Sequence, residues 1–263
     1  MSNKDNFKLQ FLIFIQIIRN NLKGFYKRFF MEFLACFVDS GSWLIGYSLI
    51  NPGKSIANSE YGLFILIGII GTNAMWKLIP KITLMINDII NEKTITYFLT
   101  LPINTNIFFI IMAISWTIET TFLSFIFLFL GKIIFFEQIK IIYYLFNIKF
   151  IASIIINNLF FSFVALFLIG YRKNTYTLIP LIISPSRAIC FLTKWKLIFS
   201  IYKIFGILML INPVLYSMEG IRASVFGDEN FISWWICSLI LIILSFLFGY
   251  FGIKRLKYRL DTI

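Results

Sequence analysis

Long apolar runs dominate the chain, and short polar stretches interrupt them at intervals matched to a bilayer. A helix crosses the hydrocarbon core with about 20 predominantly apolar residues. On that measure the pattern predicts spans near 29–50, 61–80, 104–130, 147–169, 175–193 and 231–253. The expected fold class is all-α, a polytopic membrane protein with six transmembrane helices. Residues 6–23, NFKLQFLIFIQIIRNNLK, are too polar to span. Lys8, Gln16, Asn20 and Lys23 fall close to one helical stripe there, and Phe7, Phe11, Phe14, Ile15 and Ile18 cover the rest. That arrangement predicts an amphipathic helix lying in the membrane interface. Gly24 and the pair Lys27-Arg28 mark an expected elbow before the first span. Between the last two spans, LIFSIYKIFGILMLI (197–211) is short, carries Lys203 and ends at Asn212-Pro213. A full crossing here would put the basic tail KRLKYRL (254–260) outside, against the positive-inside tendency. A re-entrant external segment between helices 5 and 6 satisfies both constraints if protein packing pairs its freed backbone groups. The expected organisation is a cytoplasmic N-terminus with its interfacial helix (1–28), a six-helix membrane domain (29–253) and a basic cytoplasmic tail (254–263).

Composition agrees with the pattern. The 263 residues are 59% hydrophobic and 14% charged, against about 45–50% apolar and about 25% charged in soluble domains. The net charge of +12 is divided among short segments between apolar runs, which fits membrane topology and not nucleic-acid binding. With the N-terminus inside and six spans, the cytoplasmic segments hold fifteen Lys and Arg and the external ones nine, as the positive-inside rule requires. The expected location is the cytoplasmic (inner) membrane, with both termini cytoplasmic. The N-terminal apolar segment lacks a small-residue cleavage site, so the N-terminus is expected to be retained. Cys36, Cys190 and Cys237 are far apart and the chain contains no histidine. Neither a disulfide framework, a common zinc site nor a histidine-based triad is written here.

Gly53-Lys54-Ser55 has the ending of a phosphate loop, but Ser48 stands where the first glycine belongs, and Pro52 removes a backbone N–H. It reads as a polar turn between two membrane helices. On the cytoplasmic side, 87–106 is the longest polar interruption, with Asp88, Glu92 and Lys93 at helical spacing and Leu101-Pro102 near its end. It suits a docking surface for a soluble partner or a solvated connector equally. Glu32 and Asp39 in the first span, and Glu119 near the middle of the third, are intramembrane carboxylates, which are costly and face a bundle interior or a wet cavity. For Glu119 and Asp39 the functional reading is a polar contact in a translocation path or dimer interface. The structural one is a hydrogen bond from Glu119 to Ser, Thr or Asn of another helix, and for Glu32 a balancing charge on Lys27 or Arg28. Trp195, Tyr202, Tyr216, Trp234 and Trp235 form an external aromatic cluster, read as an interfacial belt or as stacking platforms for a glycan.

NEKTITYFLTLPI (91–103) resembles the cytoplasmic segment between the second and third spans of ABC-2 type exporter permeases. INPVLYSMEGIRASVFG (211–227) is similar to that family's Asn-Pro-x-x-Tyr-x-x-[Glu/Asp]-x-x-Arg signature before the last span. The layout agrees over nearly the whole chain. The resemblance implies a half-transporter that dimerises, most simply as a homodimer, and pairs with two copies of a separate ABC ATPase subunit. This chain would then bind no cofactor itself, and ATP and Mg would be held by that partner. Asp88, Glu92, Lys93, Thr96, Leu101 and Pro102 are the implied ATPase-coupling residues. Asn212, Pro213, Tyr216, Glu219 and Arg222 form the implied re-entrant and gating motif, with Glu219 and Arg222 three apart and able to pair on one helical face. The implied function is export of an amphipathic drug, lipid or lipid-linked glycan, without enzymatic activity in this chain. An ion-coupled secondary transporter using the intramembrane carboxylates is the alternative.

Overall fold

The structure, a computed structural model, describes residues 3–50, 59–89, 104–135, 147–171 and 195–261. Every regular element among them is a helix: α1 (Asn3–Ile50), α2 (Ser59–Asn87), α3 (Thr105–Phe135), α4 (Ile148–Tyr171), α5 (Trp195–Ile201), α6 (Lys203–Met209), α7 (Pro213–Phe226) and α8 (Trp234–Asp261). Asparagine starts three of them. Asn104 Oδ1 accepts from the Asn106 N–H, Asn147 Oδ1 from the N–H groups of Lys149 and Phe150, and Asn212 Oδ1 from the Val214 N–H. Each cap satisfies backbone donors that the first helical turn leaves open.

Four helices contain segments long and apolar enough to cross a membrane: Leu63–Asn87, Thr105–Phe129, Ile148–Tyr171 and Trp234–Leu260. The predicted second, third, fourth and sixth spans overlap these, with starts that agree to within three residues, and α2 and α8 run well beyond their predicted ends. The expected elbow is absent as a helix break, because α1 continues through Gly24. An interior glycine costs a helix only about 1 kcal/mol. Beyond it Phe25 and Phe29 set their rings against Phe122 of α3, at centroid distances of 6.1 and 5.9 Å, which holds the helix on course. The predicted fifth span and the NPGKS turn lie outside the described residues.

The contacts fix the helix directions. Asn21 donates to Ser115 and Phe25 meets Phe122, so α1 and α3 run the same way. Thr117 bonds Ser162, and Asn158 reaches Thr121 and Ser124, so α4 runs opposite to α3. Along α4 and α8, Ser153 meets Trp234, Phe163 lies against Gly249, and Ile169 accepts from Arg259, so these two are parallel. They lie close together at Gly252, where a Cβ would stand 2.8 Å from the Phe167 nitrogen. Small residues let helices meet this closely where lipid gives no hydrophobic drive to association. Thr72, Ser115, Thr117, Thr120, Ser124, Ser162 and Ser245 turn their hydroxyls onto carbonyls of the preceding turn, which satisfies them without water.

Candidate functional site

The starts of α2, α4 and α8 gather at one end of the bundle, and α7 is packed among them. Its 14 residues make a rod about 21 Å long, too short for a hydrocarbon core of about 30 Å. Pro213 occupies the first helical position, where its missing N–H costs nothing and its fixed φ suits the helix. The Tyr216 hydroxyl donates back to the Leu210 carbonyl at 2.7 Å, closing the turn between α6 and α7. Ser217 donates to the Gly71 carbonyl of α2, which also accepts 2.8 Å from Asn157 of α4. At the far end of α7, the Ser224 carbonyl accepts from Asn147. Gly220 lies against Cys237 of α8, with room for no Cβ. The short helix is thus bonded to α2 and α4 and pressed onto α8.

Glu219 and Arg222 are fully buried within it. The two carboxylate oxygens of Glu219 accept from the backbone N–H groups of Trp195 and Ile232, both at 3.1 Å. One carboxylate therefore ties the start of α5 and the approach to α8 onto α7. The guanidinium of Arg222 lies 3.7 Å from the centre of the Phe64 ring, a cation–π stack on α2. Burial raises the Glu219 carboxyl above the ordinary carboxylate range, opposed by those two N–H donors and by the charges of Arg222 and Lys196. The hydrogen bonds given for the Glu219 carboxylate come from backbone N–H groups.

In the opposite half of the bundle two ion pairs join three helices. Lys77 of α2 meets Glu32 of α1 at 3.3 Å. Lys81, one turn further along α2, pairs with Glu119 of α3. This corrects two expectations. Glu119 is neutralised by a lysine and not by a Ser, Thr or Asn, and the partner of Glu32 is Lys77 and not Lys27 or Arg28. Lys77 and Lys81 were the missed residues. Pro80 and the lysines around it look like the end of a span, but α2 accommodates Pro80 in its interior and continues to Asn87. The available signal was the spacing of two cations by four residues in an apolar helix, facing two intramembrane acids.

Asp88 lies just past the end of α2, half-buried. Glu92, Lys93, Thr96, Leu101 and Pro102 lie outside the described residues. Asp39 is on α1, in its second half. No group of His, Cys, Asp and Glu that could hold a metal ion occurs among the described residues. No protein-family model, curated protein or solved structure matches the chain.

Proposed function

We propose that the chain is the membrane-spanning permease subunit of an ABC-2 type exporter, moving an amphipathic substrate outward across the cytoplasmic membrane. A separate ATPase subunit, holding ATP and Mg, supplies the energy. The observation that carries this reading is the seating of α7: a helix too short to span, started by Asn212-Pro213 and held through Glu219 to the segments on either side of it. This is the arrangement that the Asn-Pro-x-x-Tyr-x-x-Glu-x-x-Arg motif leads one to expect of a re-entrant external segment. The six-span topology draws support from chain direction. Tyr171 ends α4 at one end of the bundle, and Trp195 begins α5 beside Glu219 at the other, which is what a topology with an odd number of crossings between them requires. With α1 as the first, the termini fall on the cytoplasmic side.

The ion-coupled alternative loses ground to the same geometry. A carboxylate that already carries a lysine counter-charge, as Glu32 and Glu119 do, is a poor seat for a coupling cation. In the exporter reading these pairs bind α1 and α3 to α2. Movement delivered at 87–102 by the ATPase would then pass to the bundle along α2, shifting it between two packings.

The test is purification of the tagged protein in mild detergent, with assay of the eluate for a co-purifying ATPase. An ATPase is expected, and Glu92→Ala and Leu101→Ala should weaken its retention. A preparation free of ATPase, whose proton flux in liposomes is lost in Glu119→Gln, would replace this reading with secondary transport.

A further inference from the structure

We propose that α4 and α8 together carry a seat for an anionic glycerophospholipid, in the groove between their C-terminal turns. The two helices are parallel and end side by side, with Arg255 of α8 against Gly170 of α4. The Arg255 guanidinium lies over two rings, 5.6 Å from the centre of Tyr171 and 5.1 Å from that of Tyr258. Cation–π contacts position a guanidinium without consuming the in-plane N–H fork with which it meets a phosphate. The carbonyl end of α4 already has its cation, because Arg259 donates to the Ile169 carbonyl. Among the described residues no carbonyl or carboxylate engages Arg255 or its neighbour Lys254. Both side chains are exposed.

Apolar surface continues from this cation toward the middle of the bundle. Phe251 and Leu247, about one and two turns back along α8, fall on the same stripe as Arg255 and are exposed. On α4, Phe167 sits between the rings of Tyr171 and Phe248, at 4.5 and 5.0 Å, and forms the floor. Depth sets the orientation of the occupant. From Trp234 to Arg255, α8 rises about 32 Å, close to the roughly 30 Å of a hydrocarbon core. With Trp234 and Trp235 at one interface, Arg255 stands at the headgroups of the other, while Phe251 and Leu247 lie about 6 and 12 Å further in. A phosphate on Arg255 and Lys254 thus directs its acyl chain over Phe251 and Leu247 toward the midplane, as a leaflet requires. A soluble anion would leave the apolar wall uncovered, and a neutral lipid would leave the fork unanswered. The proposal rests on the membrane-spanning helices α4 and α8 and not on the exporter reading.

The experiment uses the full-length protein in detergent. Retention of dioleoylphosphatidylglycerol and of dioleoylphosphatidylcholine is measured by native mass spectrometry, and thermal midpoints are recorded with each lipid and with glycerol 3-phosphate. The wild type should hold the anionic lipid selectively. Each charge near the surface is worth roughly fivefold in affinity, so Lys254→Gln/Arg255→Gln should lose on the order of twenty- to thirtyfold. An unchanged lipid-free midpoint verifies that this variant folds. Phe251→Ser, at an exposed position, should weaken the lipid but not alter any effect of glycerol 3-phosphate. Four results would overturn the proposal: equal retention by wild type and double variant; equal loss in Arg19→Gln/Lys23→Gln/Lys27→Gln, which removes charge elsewhere; stabilisation by glycerol 3-phosphate as large as by the lipid; or loss of a protein partner or of a second copy of the chain from the double variant with lipid retention unchanged.

Discussion

Lys81 and Glu119 illustrate what a single buried charge costs in this chain. Each would be expensive alone at its depth, and each is tolerated because the other stands across the α2–α3 contact. Removing one partner strands the other, a loss of about 3–5 kcal/mol for a buried pair, while replacing both with apolar groups is often close to neutral. Lys81→Met and Glu119→Gln should therefore each lower the thermal midpoint in detergent, and Lys81→Met/Glu119→Leu should recover most of the loss. Additive single effects would show that the two do not act as a pair. Glu219 gives a pH-dependent counterpart. Because burial raises its carboxyl, the folded state binds the proton more tightly than the unfolded chain. The stability this contributes is complete below the unfolded pKa and is lost as pH rises through the folded one. Thermal scans should show the wild type losing its advantage over Glu219→Gln as pH rises out of the acid range. A difference that stays flat with pH would contradict the raised carboxyl.

Among the elements, the α4–α8 contact depends most on the absence of side chains. A Cβ at Gly252 would meet the backbone of Phe167, which has no flexible end to move aside. Gly252→Ala should consequently destabilise by about 1–3 kcal/mol or more, as overpacking does, with aggregation visible in size-exclusion profiles. Gly24 is the opposite case, since a Cβ there would meet nothing within 4 Å. Gly24→Ala should stabilise α1 by up to about 1 kcal/mol, and a large loss of stability would show that the bend expected at this residue exists in the membrane. The two substitutions are chemically identical, and only packing separates their outcomes.

At the scale of the whole molecule, the alternation of helix directions leads to an accessibility prediction. Asp228 and Glu229 lie beside Lys196, whose ammonium reaches both of their carbonyls at the end where α7 sits. The basic residues of α8 occupy the other end. In a cysteine-free background, Glu229→Cys should react with an impermeant maleimide in intact cells, and Lys257→Cys only after permeabilisation. Labelling of both from outside would break the six-span topology. The wide exposed apolar face of α8, which includes Trp235, Leu239, Phe246 and Tyr250, is in contact with lipid or a second permease in the proposed assembly.

The residue pattern by itself determined that the chain is helical and built for a membrane, because apolar length and polar punctuation are local properties that any packing must respect. It located the starts of α3 and α4 to within a residue, since the apolar runs begin there. Resemblance to a family signature, and not the apolar pattern, groups Asn212, Pro213, Tyr216, Glu219 and Arg222. Tertiary structure alone decided the partners. Whether Glu119 would meet a hydroxyl or a lysine, and whether Glu219 would bond a side chain or two distant backbone N–H groups, depends on which helices lie side by side and in what register. The same holds at Pro80 and Gly24, where local rules predict a stop and a bend. Contacts from neighbouring helices are worth more than the roughly 1–3 kcal/mol that such residues cost, and the helices continue.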